Sequence, residues 1–374
     1  MELADLKNDN ITVLIARQSR EWFKECRLRR LRVTTNNQRK KSRSQKGRRP
    51  KQYGTTRKHV LIERSRGYIA EVEQRANDRF DSKIKPMGIP SETLPPKKHA
   101  FDWQVNPVPL KDEETLAKFV IRKGEFGWLD DDRVDEIAQF VDDKNMTLDQ
   151  ALSLRSALLQ QKTVYSHGRL KSRAKALLRL YNEGVSVVDL STRFDFPPMN
   201  IFRVILGEKR WSKSKIKECL RDPSKMRKRE REEFEKAEAA DRVSNVDQSE
   251  THTRADLFEE ILADWFESRG VKIRRQTEMV FEQRQEHGRP INTPDILFLD
   301  HVEINGQPVA WIDAKHFYGA DVAFQRKKMA KQMSRYIDEW GSGAVVYRHG
   351  FSENLFIPGC LMLDAGVLDL SAMS

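Results

Sequence analysis

A chain of 374 residues is long enough for two or three domains, each with its own core. Only 38% of it is hydrophobic against 33% charged, so compact parts joined by highly charged segments are expected. No apolar run reaches the ~20 residues that cross a bilayer, which excludes a helical membrane protein, and a net charge of +12 selects a polyanionic partner, nucleic acid first.

Residues 1–110 read as a basic, largely unstructured or extended region. Its start, MELADLKNDN, is acidic and polar, unlike a signal or transit peptide. One amphipathic stretch, ITVLIARQSREWFKECRLRRL, predicts a helix. RKKSRSQKGRRPK at 39–51 follows, basic throughout and without an acid, and reads as a nuclear-import signal or a phosphate-binding arm. The proline-punctuated stretch 83–109 reads as a linker. Cys26, Cys219 and Cys360 are too few and too scattered for a disulfide framework or a zinc pattern. The expected setting is intracellular: the nucleus, with the cytoplasm as a second compartment, and no membrane.

Residues 111–225 predict an all-α, helix-turn-helix-like domain. DEETLAKFVIRK, DDRVDEIAQFVDD and TLDQALSLRSALLQQ carry apolar positions at three- and four-residue spacing. Beyond them come a helix stopped by Gly184, the short helix VVDLSTRF, the turn DFPP and a helix from Met199. The recognition position of that motif, MNIFRVIL, offers one Arg among apolar side chains, a poor set for reading bases. Residues 226–252 read as a charged helix fading into a linker.

Residues 253–374 predict a small α/β domain, a mixed sheet flanked by helices. RADLFEEILADWFESRG is an amphipathic helix with Leu257, Ile261, Leu262, Trp265 and Phe266 on one side and Gly270 as its stop. VKIRRQTEMVF, PDILFLDHVEI and QPVAWIDAK read as strands, with Asn305-Gly306 as the hairpin turn between the last two. KKMAKQMSRYIDEWG reads as helix, GAVVYRHGF as strand and NLFIPGCLMLD as a further strand.

The chemistry concentrates in that hairpin. Asp295 heads one strand, Asp313 lies in its expected neighbour, and Lys315 shares a face with Asp313 because strand side chains alternate with period two. Charges within apolar strands are costly unless paired or ligating an ion. Two carboxylates at one place suit Mg²⁺ (or Mn²⁺), and a lysine beside such an ion can handle a water and offset charge on a phosphorane-like transition state. His316 reads as an exposed strand-end histidine, and Trp311 and Phe317 as packing. Arg326, Lys327, Lys328 and Lys331 form a basic helix start that could track a phosphate backbone.

P-D, then about eighteen residues, then D-A-K resembles the PD-(D/E)xK nuclease superfamily. T-P-D at 293–295 and W-I-D-A-K-H-F-Y-G at 311–319 more closely resemble the TPD-motif family, which includes a codanin-interacting nuclease. So do Gln332, Tyr336 and G-S-G-A-V-V-Y-R-H-G-F at 341–351, and upstream D-L-S-T-R-F-D-F-P-P and L-R-D-P-S. The resemblance covers roughly residues 160–365. It implies a helix acid, Glu259 with Glu260 as fallback, and Asp295, Asp313 and the Ala314 carbonyl as further metal ligands. It implies Lys315 as the catalytic lysine and Gln332, with Tyr336, beside the site. Relatives more often carry Glu where this chain has Asp313; the superfamily accepts both. The implied protein is a Mg²⁺-dependent nuclease acting on nucleic acid, DNA before RNA, with a codanin-like protein as a partner. The alternative is a catalytically weak or inactive nuclease-fold scaffold in a nuclear complex.

Overall fold

The computed structural model describes residues 58–91, 95–243 and 248–373, with backbone alone at 248–252. The expected helix near the N-terminus and the basic run at 39–51 lie outside the described residues. From residue 58 onward the structure corrects the expectation of an extended region: helix α1 (Lys58–Asp78) and strand β1 (Lys98–Phe101) both join the core. Composition hides this because α1 fully buries only Val72 and Ala76, and charged residues are interspersed along the rest of it.

Eight helices follow without an intervening strand: α2 (Leu110–Phe119), α3 (Asp131–Asp142), α4 (Leu148–Ser172), α5 (Ala174–Asn182), α6 (Val187–Phe194), α7 (Pro198–Glu208), α8 (Lys213–Arg221) and α9 (Lys228–Ala239). Side-chain caps fix several starts. Asp130 accepts from the Arg133 amide, and Thr147 and Gln150 form a reciprocal capping box at the head of α4. Gly184 and Asp195 take left-handed φ of 103° and 54°, turning the chain between α5, α6 and α7 as the sequence predicts. The expected recognition helix, α7, is itself the core of this bundle: Met199, Ile201, Phe202, Ile205 and Leu206 are all buried. Its apolar composition, which argued against base reading, has a packing cause.

The remaining elements are α10 (Gln248–Glu267), β2 (Ile273–Arg275), α11 (Gln276–His287), β3 (Ile296–Ile304), β4 (Gln307–Lys315), α12 (Ala323–Trp340), β5 (Gly343–Tyr347) and β6 (Cys360–Asp364). VKIRRQTEMVF, read as one strand, divides after Arg275. The pattern beyond it is helical, burying Met279 and Gln283 four residues apart. On α10 the buried stripe is Phe258, Leu262, Ala263 and Phe266, and Leu257 turns outward. Positions 258, 262 and 266 repeat every four residues, and 257 falls off that line.

The sheet runs β1-β3-β4-β5-β6, with β2 also pairing β3. β1 pairs β3 in parallel, and β4–β5 and β5–β6 are parallel, whereas β2–β3 and β3–β4 are antiparallel. The mixed sheet expected from the sequence is present. Residues 305 and 306 turn the β3–β4 hairpin with φ of 52° and 75°, values that suit Asn-Gly. The Asn305 side chain brackets Trp103, accepting from its amide at 2.7 Å and donating to its carbonyl at 2.8 Å. Where β1 and β2 meet beside β3, buried Asp300 accepts from the Lys97 and Lys272 amides at 2.8 and 2.9 Å.

Alternation along the strands divides the core in two. Leu297, Trp311, Val345 and Tyr347 face α1 and α12, while Ile296, Phe298, Ile312, Ala344 and Val346 face α10. The helical stretch docks where Tyr318, Ala320 and Val322, the loop leading into α12, pack with Leu116, Ile137 and Leu154. Among the described residues no helix is long and apolar enough to cross a membrane.

Candidate functional site

Three segments converge at the open end of the β3–β4 hairpin. Ile296 pairs Ile312 across the antiparallel ladder, so one further step of that register sets Asp295 opposite Asp313. Trp311, Asp313 and Lys315 share parity and point to the α12 side, and Asp295 shares parity with Leu297 on the same side. The two aspartates and the lysine therefore stand together, as predicted from spacing.

Each carboxylate is held by named donors. Asp295 Oδ2 accepts from the Ala314 amide at 2.6 Å, and its Oδ1 accepts from Gln276 Nε2 at 2.6 Å. Asp313 Oδ1 accepts from Gln332 Nε2 at 3.1 Å, and its Oδ2 pairs with the Lys315 ammonium. The T-P-D turn is fixed from both flanks: Tyr336 Oη donates to the Thr293 carbonyl at 3.2 Å, and Gln276 Nε2 reaches the same oxygen at 3.4 Å. Pro294 confines Thr293 to extended backbone and directs the chain into β3. Gln276, at the first position of α11, carries no signal in sequence; only the β2–β3 pairing brings it to Asp295.

The electrostatics are out of balance. Asp313 is 1% exposed and Asp295 is 7% exposed. Burial, then the neighbouring Asp313 charge, pushes the Asp295 carboxyl well above its ordinary range, and burial likewise raises Asp313. Glu259, half-buried on α10, is pushed up to about 7 by burial, by Asp256 and by Asp313, against the pull of Lys315. Asp313 and Asp295 overcome desolvation and hold Lys315 above the usual lysine range, so it remains an ammonium at neutral pH. Burial raises Tyr336 to about 12.

Glu259 belongs to this field. Glu260 turns away and pairs with Arg275, so the fallback acid is displaced. Among the described residues no group of three or more His, Cys, Asp or Glu side chains is placed to hold a metal ion. An open arrangement suits Mg²⁺, which takes one or two carboxylates and keeps several waters. Two buried carboxylates resisting ionisation beside a third, with one ammonium among them, make a donor set that fits a divalent cation.

The basic start of α12 divides. Lys327, Lys328 and Lys331 are exposed, and Lys328 stands one turn before Gln332, on the same side of the helix. Arg326 does not present itself as a phosphate contact: its guanidinium pairs with buried Asp321. His316 is half-buried rather than exposed. Its Nε2 meets the Arg348 guanidinium, and burial together with Arg348 lowers it to about 4, leaving a neutral imidazole that accepts. Trp311 is fully buried and Phe317 packs at the edge of the same core, both as packing residues.

A model of a family described as a protein of unknown function with the TPD sequence motif matches residues 226–365, a span that contains Glu259, Asp295, Asp313, Lys315 and Gln332. Uncharacterized protein L539 of Acanthamoeba polyphaga mimivirus is 31% identical over 115 residues, which is 30% of this chain. The match covers 40% of that viral protein's length. No solved structure matches.

Proposed function

Starting from the TPD sequence-motif match over residues 226–365 and the acid cluster within it, we propose that the chain is a divalent-metal-dependent nuclease of PD-(D/E)xK type. Its substrate is nucleic acid, DNA before RNA. The observation that carries this reading is the setting of Asp295 opposite Asp313, with Lys315 on their face and Glu259 approaching from α10.

Three carboxylates against one ammonium leave two charges uncompensated (3 − 1) when all are ionised, and a divalent cation matches that deficit. Asp295, Asp313, Glu259 and the Ala314 carbonyl would hold Mg²⁺ or Mn²⁺. Bound there, the ion would supply an activated water and polarise the phosphoryl oxygens. Lys315, paired with Asp313 on the same face, would donate to the phosphate and offset its negative charge. Gln332 fixes the Asp313 carboxylate, and Gln276 with the Ala314 amide fixes Asp295. Glu259, pushed up to about 7 without metal, would release its proton for the ion to bind. Lys327, Lys328 and Lys331 would track the backbone. The nucleus as the location and a codanin-like protein as a partner belong to the same reading.

One observation favours the scaffold alternative. Lys315 and Asp313 already neutralise each other, and Asp295 has a donor on each oxygen. A panel of labelled flaps, junctions, duplexes and single strands, in DNA and RNA, decides between the two. With Mg²⁺ or Mn²⁺ the chain should cut at least one substrate, and Asp313→Asn or Lys315→Ala should slow cutting about a hundredfold or more. Metal binding by calorimetry without cleavage of any substrate would leave the scaffold. Cutting at the wild-type rate by both variants would remove the proposal.

A further inference from the structure

His316 and Arg348 stand just past the ends of β4 and its neighbour β5. β4 ends at Lys315 and is followed by His316; β5 ends at Tyr347 and is followed by Arg348. The parallel register sets Lys315 beside Tyr347, and the Arg348 amide donates to the Lys315 carbonyl at 2.9 Å. His316 and Arg348 are thus the first residues beyond the carboxyl ends of two adjacent parallel strands, where ligands gather in α/β sheets. The His316 and His349 rings meet edge to face at 5.6 Å. Arg254, exposed on α10 one turn before Phe258, bears electrostatically on both Arg348 and His316.

Several arginines that serve the fold here meet acids. Arg275 pairs with Glu260, Asp264 and Glu267, Arg133 with Glu125 and Glu136, and Arg326 with Asp321. Arg348 differs. Among the described residues no carboxylate stands within ion-pair distance of it, and Asp149 acts on it only from farther off while pairing with His349 at 3.8 Å. A half-buried guanidinium held by an imidazole and faced by a second arginine is short of an anion, as the neighbouring acids are short of a cation.

We propose that Arg348 and Arg254 form an anion clamp that takes a phosphodiester phosphate of a nucleic-acid strand at the carboxyl ends of β4 and β5, with His316 as the residue that positions the Arg348 fork. The identity of the anion rests on the nuclease reading. One guanidinium N–H is used by His316, and the remaining donors suit two phosphate oxygens at once, a geometry that lysine cannot reproduce.

The test is fluorescence anisotropy of a short labelled DNA single strand and its duplex, with the full chain in EDTA, in wild-type and Asp313→Asn backgrounds. Arg348→Ala should weaken binding about tenfold or more, and the slope of log affinity on log salt should fall by about one. Arg348→Lys should restore the slope but only part of the affinity. His316→Ala should lose affinity with the slope unchanged, which separates positioning from charge. Arg254→Glu, on an exposed helix surface, decides the matter if Arg348→Ala melts early. Unchanged affinity and slope in both Arg254→Glu and Arg348→Ala would overturn the clamp. If these variants lose binding while the wild type cuts nothing with metal, the clamp stands and the nuclease reading falls. A greater loss on the single strand identifies unpaired nucleic acid as the ligand; equal losses identify the backbone common to both.

Discussion

Asp295 shows at the residue scale what a buried acid costs its fold. The carboxyl is buried, resists ionisation and faces a second acid. Asp295→Asn keeps an acceptor for the Ala314 amide, and the Gln276 amide can turn to present its oxygen. In EDTA at alkaline pH that variant should therefore melt a few degrees above the wild type, a gain of about 1–2 kcal/mol, while losing metal binding. Calorimetric melting of the pair checks this, and a lower melting point for the variant would show that the carboxylate serves the fold. Asp295, Asp313 and Lys315 were legible from sequence because period-two alternation and a two-residue turn leave little freedom in placing them. Glu259 was legible only through its helix and a resemblance. Gln276 was not legible: it reaches Asp295 through strand pairing, and a glutamine at that position announces no role.

Among the elements, the hairpin and the helices could be read because their signals are local: the left-handed Asn305-Gly306 turn, the capping box of α4 and the stops at Gly184 and Asp195. α1 could not, because its fit depends on small residues far along the chain. Gly341 lies against the backbone of α1 at Val72 and Ala76 with φ of 85°, and the Ser342 amide donates to the Val72 carbonyl at 2.9 Å. A β-carbon at Gly341 would both strain that φ and collide with backbone that cannot yield. Gly341→Ala should therefore cost about 3 kcal/mol or more, read as a lower urea midpoint with an unchanged slope. An unaltered midpoint would mean that α1 is not seated on the sheet as described. The division of VKIRRQTEMVF into strand and helix has the same kind of cause: a short β-like stretch becomes strand only as far as β3 offers it a partner.

For the whole molecule, the acid site couples stability to pH and, on the proposed reading, to metal. Glu259 has a folded value of about 7 against an ordinary 4.5, so the fold disfavours its ionised form. Below 4.5 both states are protonated and the group contributes nothing. Between 4.5 and 7 the unfolded chain ionises first and the fold loses stability, and above 7 the full penalty is present. Asp295 and Asp313 shift in the same direction and add to the loss. In EDTA the melting temperature should fall from pH 5 toward pH 8, and Mg²⁺ should recover more of it at pH 8 than at pH 5. Scanning calorimetry at both values checks the sign, and an equal metal effect at both would disconnect these acids from metal binding.

The Asp300 staple also bears on how the chain comes into being. Lys97, whose amide it accepts, lies 203 positions earlier in sequence. During synthesis α1 and β1 leave the ribosome long before the strand that receives them exists, and the whole helical stretch is made in between. The central sheet can therefore close only when translation is nearly finished, and such distant pairings are slow to form. Until then the apolar side of α1 has no sheet to cover it, and a chain stopped anywhere before β3 would lack the surface on which α1 and β1 pack.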